Sequence, residues 1–131
     1  MKNQLEESKD LLLQFEKRGG LLPTVVQDVE SKEILMLGYS NKASFVETIK
    51  LNMATFWSTS RNELWTKGKT SGDYLEIKES RTDCDQDALI YIVERKGSGA
   101  CHTKAKDGNA RTTCFYRKLD NDTLAFIKGL E

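Results

Sequence analysis

Three aspartates stand at alternate positions in Asp83-Cys84-Asp85-Gln86-Asp87. In an extended segment successive side chains point to opposite faces, so the three carboxylates are expected on one face and Cys84 on the other. Three like charges this close repel one another. A hard divalent cation with oxygen ligands, Mg2+ or Ca2+, relieves that repulsion. A solvated acidic turn ahead of a strand is the plain alternative. The EF-hand pattern competes for the same residues, because Asp83, Asp85, Asp87 and Glu94 take its acidic positions. Its sixth position is Ala88, where the loop needs Gly for a sharp turn. The following Ile90-Tyr91-Ile92-Val93 also favours strand over helix. Calcium binding stays as an alternative.

Cys84, Cys101 and Cys114 are the second candidate set. Thiolates are strong zinc ligands, and three protein ligands with an open fourth position make a catalytic zinc that activates water. Their spacing is long and forms no C-x-x-C knuckle, so three unrelated buried thiols remain an alternative. An odd count excludes a full disulfide framework. His102, the only histidine, follows Cys101. It is a candidate zinc ligand, general base or ordinary polar residue, and an unperturbed imidazole titrates at about 6.5, which suits proton transfer. Gly68-Lys69-Thr70 resembles the tail of a P-loop. The full motif needs Gly where Glu63 stands, so a Walker-type NTPase is excluded. Lys67, Lys69, Thr70, Ser71 and the backbone near Gly72 could still hold a phosphate, or form an exposed basic turn.

These residues need elements to position them. Leu5, Leu12 and Phe15 at helical spacing, stopped by Gly19-Gly20, predict a helix over 3–17. Residues 24–27 and 33–37 read as a strand pair around a polar turn. Ser40 or Asn41 is a plausible N-cap for a helix carrying Phe45, Val46 and Ile49 on one face. Residues 53–59 and, more weakly, 74–77 read as strands. Residues 88–93 are nearly all apolar and predict a strand buried on both faces. A short strand over 112–117 and a closing helix over 122–130 complete the pattern. One domain, 1–131, is expected, with 1–19 as an N-terminal helical extension.

The chain has 131 residues, with 20 Lys+Arg against 20 Asp+Glu. The balance argues against a surface dedicated to nucleic acid. It conceals a split: residues 73–94 carry seven acidic and two basic residues, and 95–118 seven basic and one acidic. An acidic segment that holds the candidate cation ligands thus precedes a basic segment suited to phosphates. No apolar run approaches membrane-spanning length, and the N-terminus lacks the apolar stretch of a secretory signal. A cytoplasmic protein with reduced thiols is the expectation.

Taken together, the motifs resemble the phosphoribosyl-AMP cyclohydrolase family of histidine biosynthesis. The resemblance runs through Leu22-Pro23-Thr24-Val25-Val26-Gln27-Asp28 and Leu35-Met36-Leu37-Gly38-Tyr39-Ser40-Asn41. It continues in the block from Trp57 to Gly72, W-S-x-S-R-x-x-L-W-x-K-G-x-T-S-G, which is highly specific. Asp83 to Leu89, Ala100-Cys101-His102-Thr103 and Cys114-Phe115-Tyr116-Arg117 follow in family order.

The resemblance implies an α+β fold, mainly β with flanking helices, rolled into a pseudobarrel and dimeric. It implies Mg2+ on Asp83, Asp85 and Asp87. It implies Zn2+ on Cys84, Cys101 and Cys114, with Cys84 shared across a homodimer interface. The implied reaction is hydrolysis of the adenine-ring N1–C6 bond of phosphoribosyl-AMP by water activated on zinc, with His102 as the candidate base. Arg61, Lys69, Thr70 and Ser71 are the expected substrate contacts; Trp57 and Trp65 are expected as core or wall. No nucleic-acid or membrane partner is implied. The chain departs from the family pattern in a long Cys101–Cys114 segment, in residues 1–18, and in Gly38 and Ser40, where Ala and Met are commoner.

Overall fold

The computed structural model describes residues 2–131. Its elements are α1 (Lys2–Glu6), a 3-10 turn (Glu16–Arg18), β1 (Leu22–Asp28), β2 (Ile34–Ser40), α2 (Lys42–Leu51), β3 (Thr55–Ser58), β4 (Glu63–Thr66), β5 (Leu75–Thr82), β6 (Leu89–Arg95), β7 (Arg117–Asp120) and β8 (Thr123–Phe126). The fold is mostly β with two helices, as the α+β expectation has it. Four strands form one sheet in the order β2-β1-β6-β5, and β3-β4 and β7-β8 are separate two-stranded ribbons. The sheet is open, with β2 and β5 as edges, and no closed barrel forms among the described residues. No described helix is long and apolar enough to cross a membrane.

β1 pairs antiparallel with β2 and parallel with β6. A parallel pair needs a long crossover, and here β2, α2, β3, β4 and β5 supply it. Pro23 precedes the parallel register, which begins at Thr24↔Leu89, so its missing N–H costs that ladder nothing. β6 lies between β1 and β5, which is why its sequence is nearly continuous apolar. Leu89, Tyr91, Ile92 and Val93 are all buried.

α2 starts at a capping box. Asn41 Oδ1 accepts from Ser44 N at 2.8 Å, and Ser44 Oγ accepts from Asn41 N at 2.9 Å. Thr48 ties the helix to β3, its hydroxyl accepting from Thr55 N at 3.0 Å. The core gathers Leu22, Val26, Leu35, Phe56, Leu75, Tyr91 and Val93. Phe56 packs against Trp65 at 5.8 Å and Tyr91 at 6.1 Å between ring centroids. A Cβ on Gly38 would lie 2.7 Å from Phe56 Cδ1. The Phe56 ring occupies the space a larger residue at 38 would need.

Three expected elements differ. The helix over 3–17 covers only Lys2–Glu6, with one 3-10 turn at Glu16–Arg18. Between them the chain runs as a strap whose amides bond elsewhere: Leu12 N and Gln14 N donate to Gln86. The strand over 112–117 is irregular, because its backbone serves two neighbours, Ala100 N donating to Thr112 O and Cys114 N to Leu35 O. The helix over 122–130 is β8, paired with β7 across Asn121-Asp122, with Asn121 at φ +56°.

Candidate active site

The acidic segment is the turn between β5 and β6, not an extended strand. Gln86 N donates to Asp83 O at 3.1 Å, and Gln86 takes a left-handed φ of +57°. Asp83 Oδ1 accepts from Asp87 N at 2.9 Å and Ala88 N at 3.1 Å, a side chain closing a turn on its own backbone. Strand alternation therefore does not align these residues; the turn folds them together. The ligand oxygens of Asp83, Asp85 and Asp87 lie within 4.8 Å of one another. β6, not a helix, leaves the turn, and Glu94 lies on β6 outside the carboxylate cluster. The EF-hand alternative fails on both counts.

Charge at the turn is uneven. Burial pushes the Asp83 carboxyl up, and the neighbouring Asp87 adds to the push. Asp87 is held well below the usual carboxylate range, first of all by the Lys17 ammonium. Lys17 Nζ stands 2.8 Å from Asp87 Oδ2 and 3.0 Å from Asp85 Oδ2, and Arg18 reaches Asp87 Oδ2 at 3.1 Å. Neither cation was among the expected site residues. Their one signal is a basic pair directly before Gly19-Gly20.

The second centre is a thiol pair. Cys101 N donates to Arg111 O at 3.0 Å, and Cys114 N donates to Leu35 O on β2 at 2.7 Å. The long intervening loop closes on itself, with Lys104 bridged to Ala110 and Arg111 N donating to Thr103 O at 3.0 Å. The loop is thereby folded out, and the two thiols stay neighbours. Burial around its sulfur pushes the Cys114 thiol up to about 11, although the residue as a whole is exposed; the adjacent Cys101 thiol adds to the push and Lys67 opposes it. Cys101 is buried, and its sulfur contacts Thr103 Oγ1 at 2.8 Å and accepts from Thr103 N at 3.4 Å. Thr103 was not among the expected residues. His102, between these two, is exposed.

Cys84 is exposed on the acidic turn. Among the described residues, the aspartates alone bring three candidate ligands together within one chain. The three cysteines do not converge there.

The candidate substrate contacts lie on two turns. Arg61 is exposed on the β3–β4 turn, 3.4 Å from Glu63. Lys69, Thr70 and Ser71 are exposed on the loop after β4, which closes through Gly72 N donating to Gly68 O at 2.7 Å. Gly68 is required there. Its φ is +94°, and a Cβ would fall 2.3 Å from Tyr74 N. Lys67 is buried at the root of this loop. Trp65 packs on Phe56 and Trp57 lines a groove between the strap and α2, so both serve as core or wall.

The donor sets fit two different ions. Three converging carboxylates suit a hard cation such as Mg2+, and the turn already draws an ammonium onto itself. Two adjacent thiols suit a soft-ligand metal such as zinc. A carboxylate cluster and a thiol pair beside a cationic loop are donor sets of the kind that metal-dependent hydrolases use. Residues 36–116 match the family model for phosphoribosyl-AMP cyclohydrolase. Three proteins of that name are similar over nearly their whole length. The one from Desulfatibacillum aliphaticivorans is 47% identical over 115 residues, covering 88% of this chain and 87% of the relative. The one from Archaeoglobus fulgidus is 50% identical over 110 residues, covering 84% and 94%. The one from Streptococcus mutans is 46% identical over 112 residues, covering 86% and 96%. The chain belongs to the phosphoribosyl-AMP cyclohydrolase family, enzymes that hydrolyse a cyclic amidine C–N bond.

Proposed function

We propose that this chain opens the adenine ring of phosphoribosyl-AMP by hydrolysing its N1–C6 bond, as a cytoplasmic step of histidine biosynthesis. The observation that carries the proposal is the pairing of Cys101 with Cys114 beside the exposed His102. Water oxygen bonds to C6 and becomes the carboxamide carbonyl as the C6–N1 bond breaks; of the two protons water loses, one ends on N1 and the other on the exocyclic nitrogen of C6. His102 is placed next to a ligand candidate and serves as the base that takes the proton and returns it at N1. Arg61, Lys69, Thr70 and Ser71 hold the phosphoribosyl groups, the last three on a loop whose shape Gly68 maintains.

Zinc would be held by Cys101 and Cys114 together with Cys84 of the partner subunit; when bound it lowers the pKa of water and acts as a Lewis acid. Thr103 would orient the Cys101 sulfur, as outer partners of metal ligands do. Mg2+ would be held by Asp83, Asp85 and Asp87. Cys84 lies apart from the thiol pair in its own chain, which supports a homodimer with shared sites. Val46 and Ile49 on α2 are exposed beside an open groove lined by Leu11, Leu13 and Phe15, an apolar face that a second copy would cover. Pairing of two open sheets would also complete the rolled, barrel-like form.

Zinc content and turnover, measured together, test the proposal. The expected result is about one zinc per chain and a change in adenine ultraviolet absorbance on turnover, both lost in Cys101→Ser. Metal-loaded protein that leaves phosphoribosyl-AMP intact would overturn it.

A further inference from the structure

Lys17 places its ammonium on two of the three clustered carboxylates, 3.0 Å from Asp85 Oδ2 and 2.8 Å from Asp87 Oδ2. The segment that brings it there is clasped by the same turn. Gln86, buried at the centre of the turn, accepts from Leu12 N on its side-chain oxygen at 2.7 Å. Its amide donates to Asp10 O at 3.0 Å and Leu5 O at 3.2 Å, and its carbonyl accepts from Gln14 N at 2.8 Å. Arg18 adds a bond from Nε to the Asp87 carbonyl at 3.1 Å. The strap and the acidic turn therefore form one unit, and its built-in cation occupies oxygens that a divalent ion would use.

An ammonium and a divalent ion compete for these oxygens. Their charges repel, and an octahedral ion needs ligands at about 2.0–2.1 Å. We propose that Lys17 is a tethered competitor for the divalent ion at Asp83, Asp85 and Asp87. It neutralises the turn when the ion is absent and swings away when the ion binds. This rests on the reading of the turn as a divalent-cation site. The Lys17 side chain is 52% exposed, so its head can move into solvent while the Gln86 bonds keep the strap docked. Arg18 contacts only Asp87 among the three carboxylates and does not bridge them as Lys17 does.

The test is Mn2+ binding to the full chain at low salt, followed by the electron paramagnetic resonance of the free ion. Wild type, Lys17→Met and Asp85→Asn are compared. Lys17→Met should bind Mn2+ about tenfold more tightly, the scale of one lost charge-assisted hydrogen bond; Asp85→Asn should lose binding. Without ion, Lys17→Met should melt below wild type, and saturating Mn2+ should raise its Tm by more. Lys17→Gln, which keeps a polar strap, should show the same tightening if Lys17→Met does not fold. Unchanged or weaker binding in the Lys17 variant, with Asp85→Asn still defective, overturns the competitor and leaves the site standing. No Mn2+ binding by wild type or by either Lys17 variant overturns both.

Discussion

Cys84→Ser and Cys101→Ser should each inactivate the enzyme alone and rescue one another when mixed. Cys101 and Cys114 are neighbours in one chain, and Cys84 is held apart from them on the acidic turn. In a two-fold dimer each site then takes two thiols from one subunit and one from the other. A mixed dimer of the two variants has one site with all three thiols and one site lacking two. Random reassortment makes about half the dimers mixed, so turnover should recover to about a quarter of wild type. Mixed dimers isolated through two affinity tags should reach about half. The assay is ring-opening absorbance after mild unfolding and refolding of the mixture. A Cys101→Ser and Cys114→Ser mixture is the control and should recover nothing, because those two thiols come from the same chain. No rescue in verified mixed dimers of Cys84→Ser with Cys101→Ser would refute the shared site, as would full activity of Cys84→Ser alone.

Gly68→Ala should cost about 2–5 kcal/mol, combining the left-handed penalty with overpacking against backbone that cannot yield. Urea unfolding should show the loss, and kcat/KM should fall with the loop; a change under 0.5 kcal/mol, judged against the same expectations, would contradict the geometry. Asp28 gives a pH signature. Burial alone would raise its pKa, but hydrogen bonds from Ser31 N and Oγ at 2.9 and 2.8 Å, with Arg95 at 3.6 Å, hold it below its ordinary value. A carboxyl depressed in the folded state stabilises above its unfolded pKa and loses that contribution as pH falls through the folded one. Asp28→Asn should therefore cost about 1–3 kcal/mol at neutral pH, and the difference should shrink below about pH 4. A difference that stays constant from neutral to acid pH would contradict it.

Much of the sheet is legible in residue pattern. β1 and β2 follow from two extended runs around a polar turn, α2 from an N-cap at Asn41 and β6 from one apolar run. What is not legible depends on bonds between distant residues. Leu5, Leu12 and Phe15 have helical spacing, yet Gln86, far along the chain, takes the amides of Leu12 and Gln14 and keeps the strap extended. β8 carried a local signal, because Asn121-Asp122 is a two-residue hairpin turn between Leu119 and Leu124. Strand alternation predicts the aspartate cluster for the wrong local reason; the segment is a turn ahead of β6, the local structure that the plain alternative describes. Asp83 carries turn chemistry that alternation overlooks, its carboxylate closing the turn on the amides of Asp87 and Ala88. Lys17 and Arg18 could not be placed from sequence, since their ion pairs span about 70 positions of chain, a separation that pattern alone does not reveal.

The origin of the oxygen in the product tests the central claim most directly. Turnover of phosphoribosyl-AMP by metal-loaded protein in oxygen-18 water, followed by mass spectrometry, should give a ring-opened product with one heavy oxygen in the new carboxamide at former C6. Intact substrate, or a ring-opened product without the label there, would contradict hydrolysis at the N1–C6 bond.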